Sequence, residues 1–333
     1  MIDAAELELT PQDFTNIAQS MEEEIGRVIV GQQEVVHGIL ICVLAGGHVL
    51  LEGVPGLGKT MLIRTLSEVL DVQFSRIQFT PDLMPADITG STIIADDPST
   101  GSRRFQFQAG PVFANLVLAD EINRATPKTQ SALLEAMQER QVTVARTKHR
   151  LQEPFFVMAT QNPIEMEGTY PLPEAQVDRF LFKLTIGYPS RSELVDIINR
   201  TTVRDMPLPR KVATSETVLR MIALARDLPI AQPVVDYVAR LVMATHPGSD
   251  DAEEAIRHIR FGSSPRGAQS IVIAAKIHAM LQGRYNVAFE DVRFVALPAL
   301  RHRLILNFEA EAEGVTADAI IRDILRNVPE NAR

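Results

Sequence analysis

The chain has 333 residues, 46% hydrophobic and 23% charged, with a formal net charge of −9. This length points to about two domains with sizeable cores, and the composition excludes a disordered or disulfide-stapled scaffold. Cys42 is the only cysteine, so no intramolecular disulfide forms; it reads as a small buried hydrophobe in a reducing, cytoplasmic setting.

No uninterrupted apolar run reaches the length of about 18 residues that a membrane span needs, so no span is expected. The N-terminal "MIDAAELELTPQDF" is acidic and is not expected to be a secretory signal. The negative charge argues against a surface that coats nucleic acid, while leaving room for a local basic patch.

In chain order, apolar residues at helical spacing from 12 to 45 predict a helix stopped by Gly46-Gly47. "HVLLEG" predicts a short buried strand, "MLIRTLSEVL" a helix and "FSRIQF" a second strand. The Pro-, Gly- and Asp-rich region that follows contains "STII" and "RRFQFQ" around "ADDPSTGS", a hairpin signal. "ANLVLADE" is a third strand, and "PKTQSALLEAMQER" a helix with Pro127 in its first turn, where a missing N–H costs nothing. "VTVARTKHRLQ" predicts a second hairpin, "EPFFVMATQNP" a fourth strand, "EAQVDRF" a short helix and "LFKLTIG" a fifth strand. After Tyr188-Pro189 the strand signal fades into five amphipathic helical segments, from "SRSELVDIINRTT" to "FEDVRFVALPALRHRL". The expected architecture is therefore an α/β domain over 1–188 and a helical domain over 189–333.

The stretch "GVPGLGKT" satisfies G-x-x-x-x-G-K-[ST] through Gly53, Gly58, Lys59 and Thr60, between a strand and a helix. The loop also comprises Pro55, Gly56, Leu57 and Met61, and its backbone N–H groups, to which Pro55 adds none, converge on phosphate oxygens at a helix N-terminus. Lys59 is expected to reach the β- and γ-phosphates of ATP, and Thr60 to ligate Mg²⁺. Hydrolysis also needs acids at the carboxyl ends of neighbouring strands. "LVLADE" supplies Asp120 for the metal and Glu121 to polarise water, and "VMATQN" supplies Asn162 as a neutral donor.

Taken in order, "GVPGLGKT", "LADEINRA", "ATQNP", "EGTYPLPEAQVDRF" and "GSSPRGAQ" resemble the MoxR family of AAA+ ATPases. The resemblance spans residues 25 to 310, and "EGTYPLPEAQVDRF" is its most family-specific part. It implies an AAA+ αβα domain with a parallel five-stranded sheet and a C-terminal all-α lid. It further implies a hairpin insert over 89–108 and a second hairpin over 141–152. Asn162 then matches sensor 1, Arg179 in "VDRF" the arginine finger, and Arg266 in "SSPRGAQ" sensor 2. Val30 and Gly31 in "VIVGQ" match the segment near the adenine. The implied machine is a homo-hexameric ring that remodels protein clients in complex maturation or metal-cofactor insertion, often with a partner carrying a von Willebrand factor A domain.

Arg266 near a helix start is unusual, because a cation there opposes the helix dipole; that cost makes sense if it meets phosphate. Two rival readings share the layout: a nucleic-acid motor of the MCM type and a magnesium-chelatase-like subunit. The first has one foothold, the basic hairpin residues Arg103, Arg104, Arg146, Lys148, His149 and Arg150. The histidines His37, His48, His246, His278 and His302 show no metal-ligand spacing.

Overall fold

A computed structural model describes residues 9–96, 103–162, 168–204, 207–248 and 257–330. Helix α1 (Pro11–Val28) starts in a capping box, with Thr10 Oγ1 accepting from Asp13 N–H at 3.2 Å and the Asp13 carboxylate accepting from Thr10 N–H at 3.0 Å. The single helix expected over 12–45 is two helices. The chain breaks at residues 29–32, and α2 (Gln33–Leu44) starts afresh. Gly31 and Gln32 have φ of +67° and +58°, which a right-handed helix cannot continue through. The conformation favours glycine at 31, where a Cβ would also press on the end of the Glu193 side chain.

The following elements are β1 (Val49–Glu52), α3 (Lys59–Val69), β2 (Phe74–Gln78), α4 (Pro85–Thr89) and the ribbon β3 (Gly90–Asp96)–β4 (Arg103–Ala109). Then come β5 (Leu116–Asp120), α5 (Pro127–Glu139), the hairpin β6 (Gln141–Val144)–β7 (Thr147–Arg150), β8 (Phe156–Gln161), α6 (Glu174–Val177) and β9 (Phe182–Thr185). Both expected hairpins pair antiparallel, Ile94 facing Phe105 in one and Val142 facing His149 in the other. The turn "DPSTGS" of the first lies outside the described residues.

Five strands form one parallel sheet in the order β2-β5-β8-β1-β9. Alternation of side chains divides each strand between two cores. Val49, Leu51, Leu116, Leu118, Phe156 and Met158 face α1, α2, α3 and the C-terminal helices, whereas Leu50, Val117, Ala119, Val157 and Ala159 face α5. Both faces are covered, so the strands are nearly uninterrupted apolar runs.

Beyond residue 188, α7 (Arg191–Thr201), α8 (Ser215–Asp227) and α9 (Gln232–Met243) are followed by helices Pro265–Leu281 and Phe289–Leu300. All five segments predicted as helices are helical. Two further helices, Phe308–Glu313 and Ala317–Asn327, were not expected, although Ile320, Ile321 and Ile324 bury at helical spacing. A short antiparallel pair, Ile259–Phe261 with Ile305–Leu306, also lies in this otherwise helical part. The helical lid shares its core with α1 and α2, and Thr15 Oγ1 donates to Met280 O at 2.8 Å. By contrast α7 buries no residue and leaves Leu194, Val195 and Ile198 about half exposed.

Candidate functional site

Two features of the loop after β1 shape the first part of the site. Gly56 and Gly58 both take left-handed conformations, at φ of +85° and +76°, and Gly58 is the N-cap of α3. The loop therefore curls back and opens the first turn of α3 toward solvent. Lys59, the first residue of that helix, donates from Nζ to Gly53 O at 2.5 Å. Its ammonium is half-buried, and burial lowers its pKa against the opposing pull of Asp120 and Glu121. A desolvated cation held by a single carbonyl beside a turn of exposed N–H groups fits a phosphate.

Pro55, Gly56, Gly58, Lys59, Thr60 and Met61 line a cleft of about 260 Å³ together with Arg76, Gln78, Asp120, Glu121 and Asn162. The expected cradle, acid and donor residues are thus gathered at the carboxyl ends of β1, β5 and β8. Asp120 ends β5; its Oδ1 accepts from Thr160 Oγ1 at 2.7 Å and its Oδ2 from Arg76 Nη2 at 2.6 Å. Glu121 turns the chain at φ +55°, its N–H donating to Thr160 Oγ1 at 2.9 Å and its carboxylate accepting from Arg124 at 2.9 Å. Thr160 therefore fixes both acids from the neighbouring strand. Neither Thr160 nor Arg76 was singled out from sequence, because each acts across strands rather than along the chain.

A second cavity of about 540 Å³ adjoins the loop at Gly56, Leu57, Gly58 and Met61. Its wall is mostly apolar: Val28, Ile29, Val30, Leu62, Ile186, Tyr188, Leu194 and Ile197. Val30 lines this cavity beside the loop residues. Gly31 does not line the cavity but makes the turn that presents Val30. The walls from Tyr188, Leu194 and Ile197 were not anticipated; the apolar positions of the amphipathic segment "SRSELVDIINRTT" were the available signal.

Arg179 and Arg266 are not in this cleft. They line a separate one of about 310 Å³ with Gly47, His48, Met137, Leu181, Asp178 and Arg303. Gly47-His48 precede β1 and Leu181 precedes β9, so this cleft opens at the amino ends of the strands whose carboxyl ends carry the phosphate loop. Four residues of β1 separate the two, a rise of about 13 Å at 3.3 Å per residue.

The Nε of Arg179 is buried without a hydrogen-bond partner. Arg266 Nη1 lies 3.8 Å from Asp178 Oδ2. Arg303 and Arg266 face the Asp178 carboxylate and Arg179 lines the same cleft, so three guanidiniums and one carboxylate share it, a surplus of positive charge that suits an anion.

The family model described as ATPase family associated with various cellular activities (AAA) matches residues 48–182, and an AAA lid domain model matches 252–324. Chaperone MoxR1 of Mycobacterium tuberculosis is 45% identical over 306 residues, covering 92% of this chain and 80% of that protein. The uncharacterized protein YeaC of Bacillus subtilis is 43% identical over 320 residues, covering 95% and 96%. A solved structure of a presumed ATPase from Cytophaga hutchinsonii superimposes with a TM-score of 0.90 at 41% identity, covering 97% of each chain.

Proposed function

Because the chain belongs to the MoxR family of AAA+ ATPases, we propose that it hydrolyses ATP at sites shared between neighbouring subunits of a ring, and uses that energy to remodel protein clients. The observation that carries this reading is the separation of Arg179 and Arg266 from the chain's own cradle. A subunit alone has the phosphate loop and the acids. The surplus cations lie at the other end of its sheet, where a neighbour's nucleotide can meet them.

In this reading the loop Gly53–Met61 and Lys59 hold the phosphates, Val30 and the wall around it hold the adenine, and Thr60 and Asp120 hold Mg²⁺. The ion, when bound, neutralises charge on the phosphate oxygens. Glu121 takes a proton from the attacking water, which Asn162 helps to orient. Arg179 and Arg266, from the next subunit, face the charge that grows on the transferred phosphoryl oxygens. Residues 1–188 then form the nucleotide domain and 189–333 the lid.

Specific ATPase activity is expected to rise with protein concentration across the monomer-to-oligomer transition. A flat specific activity through that transition would contradict the shared site.

A protein client is favoured over nucleic acid by the β3–β4 ribbon. Ile94 and Phe105 face each other across its strands and are 62% and 79% exposed, an apolar pair suited to polypeptide. Phe107, farther back on the same face, stacks on His149 of the second hairpin with ring centroids 3.7 Å apart, so the two hairpins form one surface. The name of the Mycobacterium relative, a chaperone, points the same way. Salt-titrated anisotropy is expected to show no sub-micromolar duplex binding at about 150 mM salt, because a few hairpin cations release few counterions; tight binding there would favour the MCM-like motor.

A further inference from the structure

Asp178, the residue before Arg179, is one point where the lid meets the α/β domain. Its Oδ1 accepts from Arg303 Nε at 2.8 Å, and its Oδ2 from Ser264 Oγ at 3.0 Å. Arg266 lies 3.8 Å from the same Oδ2. Ser264 is the N-cap of helix Pro265–Leu281, and its hydroxyl also accepts from Arg266 N–H at 3.2 Å.

Arg303 follows the lid helix Phe289–Leu300, and its side chain is 2% exposed. Its guanidinium donates to Asp178 O at 3.1 Å, Phe180 O at 2.7 Å and Leu181 O at 3.2 Å, and to Ser270 Oγ at 3.1 Å and Ala299 O. His302 adds a bond from Nε2 to Phe180 O at 3.0 Å. The backbone on both sides of Arg179 is therefore gripped by lid side chains, while Arg179 itself is left without a partner on its Nε.

We propose that Asp178 and Arg303 are positioning residues that lock Arg179 and Arg266 into one rigid element across the lid boundary, so that both arginines reach a neighbour's nucleotide together. This rests on the shared-site reading above. A planar guanidinium with several donors can hold one carboxylate and several carbonyls at once, which a lysine ammonium cannot match. Tight holding matters because a displacement of about 1 Å at a group facing the transition state can cost about 10²-fold in rate.

The test uses full-length protein and four variants. Asp178→Asn is expected to keep oligomer mass and affinity for a fluorescent ATP analogue, while kcat falls about 10²-fold at unchanged KM. Mixed with Lys59→Ala, which has a dead cradle and an intact arginine pair, it should regain activity. Mixed with Arg179→Ala it should regain none, because both lesions then lie on the side that donates arginine. Ser264→Ala, which removes only the lid hydroxyl, should give the same pattern with a smaller loss and keeps the test alive should Asp178→Asn not assemble.

Wild-type kcat in Asp178→Asn would overturn the proposal. So would parallel loss of assembly and nucleotide affinity in both Asp178→Asn and Ser264→Ala, or recovery of the Asp178→Asn and Arg179→Ala mixture. Failure of the underlying reading looks different: there the Arg179→Ala and Lys59→Ala mixture itself would stay inactive.

Discussion

At the carboxyl ends of the sheet, Asp120 and Glu121 are each met by an arginine of the same chain, Arg76 and Arg124. At the amino ends, Arg266 and Arg303 share the Asp178 carboxylate, and Arg179 lines the same cleft with its Nε unpartnered. One region is nearly balanced in charge before any ligand arrives, needing only phosphate for Lys59. The other holds cations in excess, and its natural complement is an anion brought from outside the chain. In the proposed reading these are two unlike halves of a phosphoryl-transfer site, at opposite ends of the same strands, that assembly would bring together.

The largest expected effects separate binding from chemistry within the first region. Lys59→Ala should abolish measurable ATP binding in a calorimetric titration, since its ammonium meets phosphates in the ground state. Glu121→Gln should bind normally and lose about 10²–10⁴-fold in hydrolysis, the usual worth of a positioned base. Equal binding losses in the two variants would break the division of roles between them.

A smaller effect tests the second region through its wall. His48 is buried where that cleft opens; its Nδ1 accepts from Val157 N–H at 3.0 Å and its Nε2 faces Met137 O at 3.2 Å, which assigns the neutral Nε2–H tautomer. Protonation would set a second N–H against that of Val157. Burial, reinforced by nearby Arg140, lowers the His48 pKa from 6.5 to about 4. The unfolded chain then binds more protons between these two values, so this stabilisation is present above pH 6.5 and is lost as pH falls toward 4. It amounts to roughly 3 kcal/mol at most. Thermal melts should show Tm falling across that window, with a shallower slope in His48→Gln; an unchanged slope would remove His48 from the account.

The two regions were unequally legible in sequence. The cradle is local: Gly53 to Thr60 read directly as strand, loop and helix, because each glycine answers a backbone need a few residues away. Asp120, Glu121 and Asn162 were reachable because parallel strands bring their carboxyl ends together. The five strands, both hairpins and five of the lid helices followed from apolar patterning and turn residues, whereas their union in one parallel sheet followed from the family resemblance and the last two lid helices were missed. The break at Gly31 was missed because apolar spacing runs through it. The left-handed turn shows in the φ of +67° and +58° at Gly31 and Gln32, which apolar spacing does not encode.

The arginine side was legible only as two motifs. Its organisation depends on Asp178 meeting Ser264 and Arg303 over sequence separations of 86 and 125 residues, which no local pattern encodes. Arg303 carries no motif, and its importance shows only in the number of carbonyls it bonds.

The most direct measurement mixes Arg179→Ala with Lys59→Ala. Alone, Arg179→Ala should retain ATP affinity and lose about 10³–10⁵-fold in kcat, the worth of an arginine finger, and Lys59→Ala should be inactive for want of nucleotide. In mixed oligomers, some interfaces pair an intact cradle from one variant with intact arginines from the other. The account predicts partial recovery of ATPase activity above both parents, at a level that tracks the fraction of such interfaces. Mixed oligomers confirmed by mass that recover nothing would contradict it.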